Sequence, residues 1–138
     1  MEGEWNRELI SKTAKEIDPD VGCVIACIDY YVSYIKTLKA VTYLNNPEVI
    51  FLTTNLEDRH SYQNGIISPG EGAFAQFLAT ASRRTPIALG KPEKYVFEAV
   101  QKVYPNIQPK KTIMIGDKYV IVNLPAWKKM SIYVKVFI

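Results

Sequence analysis

Two residues stand where an apolar run gives way to a turn, and they carry the charges that phosphate and metal chemistry use. Lys91 follows Ile87-Ala88-Leu89 in the segment Gly90-Lys91-Pro92. Pro92 suits the first turn of a helix, where a missing N–H costs nothing, and an ammonium beside a helix start would attract a phosphate. Asp117 closes the run Ile113-Met114-Ile115-Gly116. Gly116 permits close backbone approach, and the carboxylate could hold Mg²⁺, which favours one or two carboxylates together with water and substrate oxygens. Taken singly, each segment is also ordinary turn chemistry with a solvated side chain. Taken in order, apolar strand, Gly-Lys-Pro, amphipathic helix and apolar strand ending Gly-Asp form one unit, and open α/β sheets bind ligands at the carboxyl ends of their strands.

The elements that would position these residues alternate along the chain. Residues 4 to 17 place Trp5, Leu9, Ile10 and Ile17 near helical spacing, and Asp18-Pro19-Asp20 should end that helix. Gly22 to Asp29 is a continuous apolar run of strand length, which reads as a central parallel strand covered on both faces. Tyr31, Tyr34, Ile35, Leu38 and Val41 follow helical spacing with Lys36 and Lys39 turned away, until Asn45-Asn46-Pro47. A strand at 49–53, a long polar loop at 54–72, a helix at 73–82 and a short strand at 86–89 follow. The next helix carries Val96, Ala99, Val100 and Val103 as an apolar stripe, with Lys94-Glu98 and Glu98-Lys102 as outward pairs. After a strand at 112–115, segments 119–122 and 131–138 read as a terminal β-hairpin around Pro125. Repeated strand-helix-strand order predicts an α/β fold, a mainly parallel sheet in three layers with helices on both faces.

Composition narrows the function classes. The 138 residues are 48% hydrophobic with a net charge of +3, a balance that suits a globular domain with a real core. Arg83-Arg84 and Lys110-Lys111 are isolated doublets, so no basic stripe points to nucleic acid. No apolar run approaches the roughly 20 residues of a membrane span, and the acidic Met-Glu-Gly-Glu start is unlike a secretory signal, so a cytoplasmic protein is expected. Cys23 and Cys27 are the only cysteines and share a face if their run is a strand. They read as buried free thiols, because a zinc site needs two further ligands and the single histidine, His60, lies far along the chain.

Several segments together are similar to one family. Leu89-Gly90-Lys91-Pro92 and Thr112-Ile113-Met114-Ile115-Gly116-Asp117 resemble the third and fourth motif region of haloacid dehalogenase-like phosphatases. Asp20-Val21-Gly22, Tyr34-Ile35-Lys36, Lys39-Ala40, Thr54-Asn55, Asn64-Gly65 and Pro69-Gly70-Glu71-Gly72-Ala73 resemble the larger α/β cap of the 4-nitrophenylphosphatase, phosphoglycolate phosphatase and pyridoxal phosphatase branch. The resemblance implies a truncated member: a helix at 1–17, a cap at 18–84, a partial Rossmann-like core at 85–117 and a divergent tail at 118–138. It implies a Mg²⁺-dependent phosphomonoesterase working through an aspartyl-phosphate, in which Lys91 steadies the nucleophile and the transferring phosphoryl charge and Asp117 ligates Mg²⁺. Glu57, Asp58, Arg59 and His60 then lie on the cap loop that faces the substrate and become candidates for its selection. For His60 a solvated loop histidine is the plainer alternative.

The sequence also departs from the family pattern. No Asp-x-Asp-Gly segment is present, and Asp18-Pro19-Asp20 follows Lys-Glu-Ile, which is no buried strand, so loop chemistry is the better reading there. Where the family continues Arg-x-x-Thr-Asp after the Mg²⁺ aspartate, this chain has Val122 in place of the second acid. Without the attacking carboxylate the isolated chain should be inactive. The resemblance therefore leaves two expectations, a phosphatase piece and a catalytically inactive cap module that forms a homodimer through the cap.

Overall fold

The computed structural model describes residues 2–91, 93–116 and 131–134. The chain divides into two compact units, Met1–Ile87 and Ala88–Ile138. In the first, α1 (Glu2–Lys15) carries Lys12 and Lys15 in its last turn, where cations favour the carbonyl end of the helix dipole. Asp18 follows in a turn closed on itself, its Oδ1 accepting Asp20 N at 2.9 Å. The Asp-Pro-Asp segment is thus an aspartate-stabilised turn.

Strands β1 (Cys23–Ala26) and β2 (Ile50–Thr53) pair in parallel with Cys23 opposite Ile50 and Ala26 opposite Thr53. Their connection is α2 (Tyr34–Leu44), capped by Ser33, whose Oγ accepts Lys36 N at 3.3 Å. A two-residue strand, β5 (Ile87–Ala88), completes the order β1-β2-β5. Alternate strand residues and two helices, α2 and α3 (Glu71–Ser82), build one core of Ala26, Leu44, Val49, Phe51, Ala75 and Leu78. Period-two alternation explains which strand residues enter it: Val24 and Ala26 face the helices, whereas Cys23 and Ile25 do not.

That pattern corrects two expectations. The first strand is not central but lies at the edge of the described sheet, and both thiols are exposed. A continuous apolar run signals burial on both faces only when something covers the second face, and among the described residues Ile25 stays 55% exposed. The start of α2 is likewise open, with Tyr34 and Ile35 outside the core that Ala40, Val41 and Leu44 join.

The segment expected to be a plain loop contains a hairpin, β3 (Arg59–Ser61) antiparallel to β4 (Ile67–Pro69). Its tip is Asn64-Gly65, both at positive φ (65° and 76°), and Tyr62 N donates to Ile66 O at 2.8 Å. Asn and Gly tolerate that backbone where bulkier residues clash. Helix α3 ends on Arg83 at φ 57°, a left-handed position usually given to glycine. Arg84 then donates through Nη1 to the carbonyls of Val49 (2.8 Å), Asn46 (3.1 Å) and Leu44 (3.2 Å), pinning the α2–β2 turn.

In the second unit α4 runs Tyr95–Val103, and Pro92, expected to start this helix, lies outside the described residues. Lys94 meets Glu98 at 3.0 Å, as the four-residue spacing predicts. The expected stripe is not buried: among the described residues Val100 is 38% and Val103 69% exposed. Strand β6 (Ile113–Gly116) pairs in parallel with β7 (Ser131–Val134). The segment 119–122, the other half of the expected hairpin, lies outside the described residues, as do Asp117 and Val122. The fold is α/β with a parallel sheet.

Candidate functional site

The loop that leaves β2 is built from the backbone upward. Thr53, fully buried, donates its hydroxyl to Asn55 O at 2.8 Å, and Asn55 Oδ1 accepts the N–H groups of Leu56 (2.7 Å) and Glu57 (3.2 Å). The turn therefore satisfies its own amides with a side chain. Leu56 and Glu57 are held against the start of α3, where Gly72 N donates to Glu57 O at 2.8 Å and Gly70 N donates to Asp58 O at 2.9 Å. Both glycines are required by close approach. A Cβ on Gly72 would sit 2.5 Å from Leu56 O, and one on Gly70 would meet Glu57 O still more closely.

This clamp brings two candidates together with a residue that sequence reasoning did not single out. His60 Nε2 lies 3.1 Å from Glu71 Oε2, and His60 Nδ1 lies 3.8 Å from Glu57 Oε1. The imidazole is thus flanked by two carboxylates, and all three side chains are largely shielded, with 26%, 20% and 19% of their surface exposed for His60, Glu57 and Glu71. A protonated ring would bridge both acids, while a neutral ring donates to one of them. His60 is therefore a fastener between β3 and α3 rather than a solvated loop histidine. Glu71 could have been suspected from Pro69-Gly70-Glu71-Gly72, a pair of glycines around an acid at a helix start, but nothing in the spacing names His60 as its partner.

Two of the remaining candidates share this unit but not this contact. Asp58 and Arg59 are exposed, Arg59 opposite Pro69 in the hairpin register. Lys91 is exposed in the turn after β5, in the second unit. At the open end of β1, Asp29 accepts Tyr31 N at 2.8 Å and meets Lys36 Nζ at 2.6 Å. The Lys36 hydrogen bond, followed by that amide, holds the Asp29 carboxyl below its ordinary value.

Among the described residues no group of three or more His, Cys, Asp or Glu is arranged to hold a metal ion. The described donor set thus does not fit a divalent cation by itself, and Asp117 lies outside it. Among the described residues no helix is long and apolar enough to cross a membrane.

Comparison with known proteins accords with this architecture. No family model matches the chain. It is 34% identical over 105 residues to glycerol-3-phosphate phosphatase of Rattus norvegicus, covering 76% of this chain and 32% of the relative. It is 33% identical over 100 residues to human chronophin, covering 72% and 33%. The crystal structure of a thermostable NPPase double mutant from Geobacillus stearothermophilus superposes with a TM-score of 0.72 at 25% identity, over 82% of this chain and 45% of that one. The chain spans about a third of the length of these curated relatives. By sequence and fold it belongs to the haloacid dehalogenase-like phosphatases, in the branch of the 4-nitrophenylphosphatases, phosphoglycolate phosphatases and pyridoxal phosphatases.

Proposed function

We propose that this chain supplies the substrate-selecting cap and the phosphate-side lysine of a Mg²⁺-dependent phosphomonoesterase. Residues 18–84 are the cap, 85–117 part of the phosphatase core, 1–17 an added helix and 118–138 a divergent tail. The observation that carries the reading is the pinned loop, in which Gly70 and Gly72 press residues 56–58 onto α3 and the His60–Glu71 contact fastens it. A loop held this firmly presents Glu57, Asp58 and Arg59 in a defined arrangement, as selection of a small phosphate ester requires. Lys91, at a strand-end turn, is suited to neutralise phosphoryl charge. Asp117 would be one Mg²⁺ carboxylate, with the metal supplying charge neutralisation when bound. Location in the cytoplasm and self-association through the cap belong to the same reading.

These 138 residues contain no Asp-x-Asp-Gly segment, so the attacking carboxylate of an aspartyl-phosphate mechanism is not among them. The reading therefore expects no turnover of p-nitrophenyl phosphate with Mg²⁺ by this chain alone. It expects turnover when residues 18–117 replace the corresponding stretch of the rat glycerol-3-phosphate phosphatase. In that chimera Lys91→Ala should lower kcat by about a hundredfold or more, the scale of losing one preorganised charge in a transition state. A folded chimera whose activity ignores Lys91→Ala would refute the assignment.

A further inference from the structure

His60 is the single histidine of the chain, and imidazole is the side chain whose charge ordinarily changes between about pH 5 and 8. The ring is held from two elements. Glu71 Oε2, at the start of α3, lies 3.1 Å from Nε2, and Glu57 Oε1, on the loop leaving β2, lies 3.8 Å from Nδ1. The adjoining charged residues are Asp58 and Arg59, both exposed. Helix α3 has no charged residue besides Glu71, and β4 has none and places Ser68 opposite His60.

Both contacts respond to one proton. At 3.1 Å the Nε2 contact can be a hydrogen bond, whereas 3.8 Å is beyond hydrogen-bond length, so Glu57 is attracted through the charge of the ring. A charged ring is attracted on both sides. A neutral ring with its proton on Nε2 turns the Nδ1 lone pair toward the Glu57 carboxylate, and one with its proton on Nδ1 sets a lone pair against Glu71. Whichever tautomer forms, loss of the proton makes one of the two contacts repulsive. We infer that His60 is a pH-sensitive latch on this loop: protonated, it holds Glu57 and Glu71 together, and deprotonated, it lets residues 56–58 move off the start of α3. The bonds from Gly72 N to Glu57 O and from Gly70 N to Asp58 O lie under this latch, because both acceptors belong to the loop that the imidazole fastens. Fastening favours the charged ring, so the grip is firmest on the acid side of neutrality and weakens as pH rises. Glu57, Asp58 and Arg59 then lose their fixed arrangement. That consequence for substrate selection rests on the proposed function, whereas the latch itself does not and is read without substrate.

Amide hydrogen exchange of the whole chain, expressed as protection relative to the unstructured rate at each pH, tests the latch. From about pH 5.5 to about pH 7.5, protection at Gly70 and Gly72 should fall by about three- to tenfold, the scale of one partly shielded ion pair. Protection at Ile50, whose amide donates to Gly22 O at the other end of β2, should stay level. His60→Gln should give the same protection at Gly70 and Gly72 throughout, and Glu71→Gln, which keeps the imidazole, should reduce the change to less than half. A level wild-type profile, an undiminished response in His60→Gln, or an unaltered one in Glu71→Gln would each overturn the inference. Glu71→Gln remains decisive if circular dichroism shows that His60→Gln fails to fold.

Discussion

Gly72→Ala sets two opposing effects against each other at the candidate site. Gly72 is the second residue of α3, where alanine is favoured over glycine by no more than the roughly 1 kcal/mol of a helix interior, so the helix considered alone would be stabilised. Here the new methyl would stand 2.5 Å from Leu56 O and 2.6 Å from Leu56 C, both backbone atoms. They must retreat by roughly 1 Å before the contact becomes ordinary. Overpacking of this kind costs about 1–3 kcal/mol, and displacement stretches the bond from Gly72 N to Glu57 O, which contributes about 1 kcal/mol. The close approach outweighs propensity, and a net destabilisation of about 1–3 kcal/mol is expected. Urea unfolding should show a lower midpoint with an unchanged slope, and the His60 imidazole resonances should shift as the loop leaves Glu71. A variant as stable as the wild type, with unmoved His60 signals, would refute the claim that Gly72 pins the loop.

Other substitutions probe the supports around that loop. Arg84→Ala removes the donor to three carbonyls of the α2–β2 turn and should cost about 2–4 kcal/mol in urea unfolding, with Arg84→Lys recovering part of it. Arg83→Gly relieves a left-handed backbone at the end of α3 and should stabilise by up to about 1 kcal/mol, read as a raised melting temperature. The Asp29–Lys36 pair stabilises the folded state above the ordinary carboxylate pKa, and its contribution disappears as pH falls through the depressed folded value. Stability of Asp29→Asn should therefore converge with that of the wild type at low pH. Lys94, raised by the hydrogen bond it donates to Glu98, works in the opposite sense: its contribution is complete below the ordinary lysine pKa and fades as pH rises through the elevated one. A Glu98→Gln chain should differ least from the wild type at strongly alkaline pH.

What could be read from the residues alone was whatever depends on local order. Helical spacing identified α2 and α4, Asn45-Asn46-Pro47 marked the end of α2, and strand-helix alternation announced an α/β fold. The cap and motif segments pointed to the family that the relatives share. Asn64-Gly65 carried the signal for the β3–β4 hairpin, though the flanking residues lack the apolar alternation that would have declared the strands. Tertiary structure decided what depends on which surfaces meet. The run 22–29 has the hydrophobicity of a central strand, yet among the described residues it lies at an edge, with Cys23 and Cys27 exposed. His60 and Glu71, eleven residues apart, meet only because two glycines let β2's exit loop approach a helix start within distances no side chain permits. Periodicity records how apolar each face is, whereas contact between faces follows from the folded path of the whole chain.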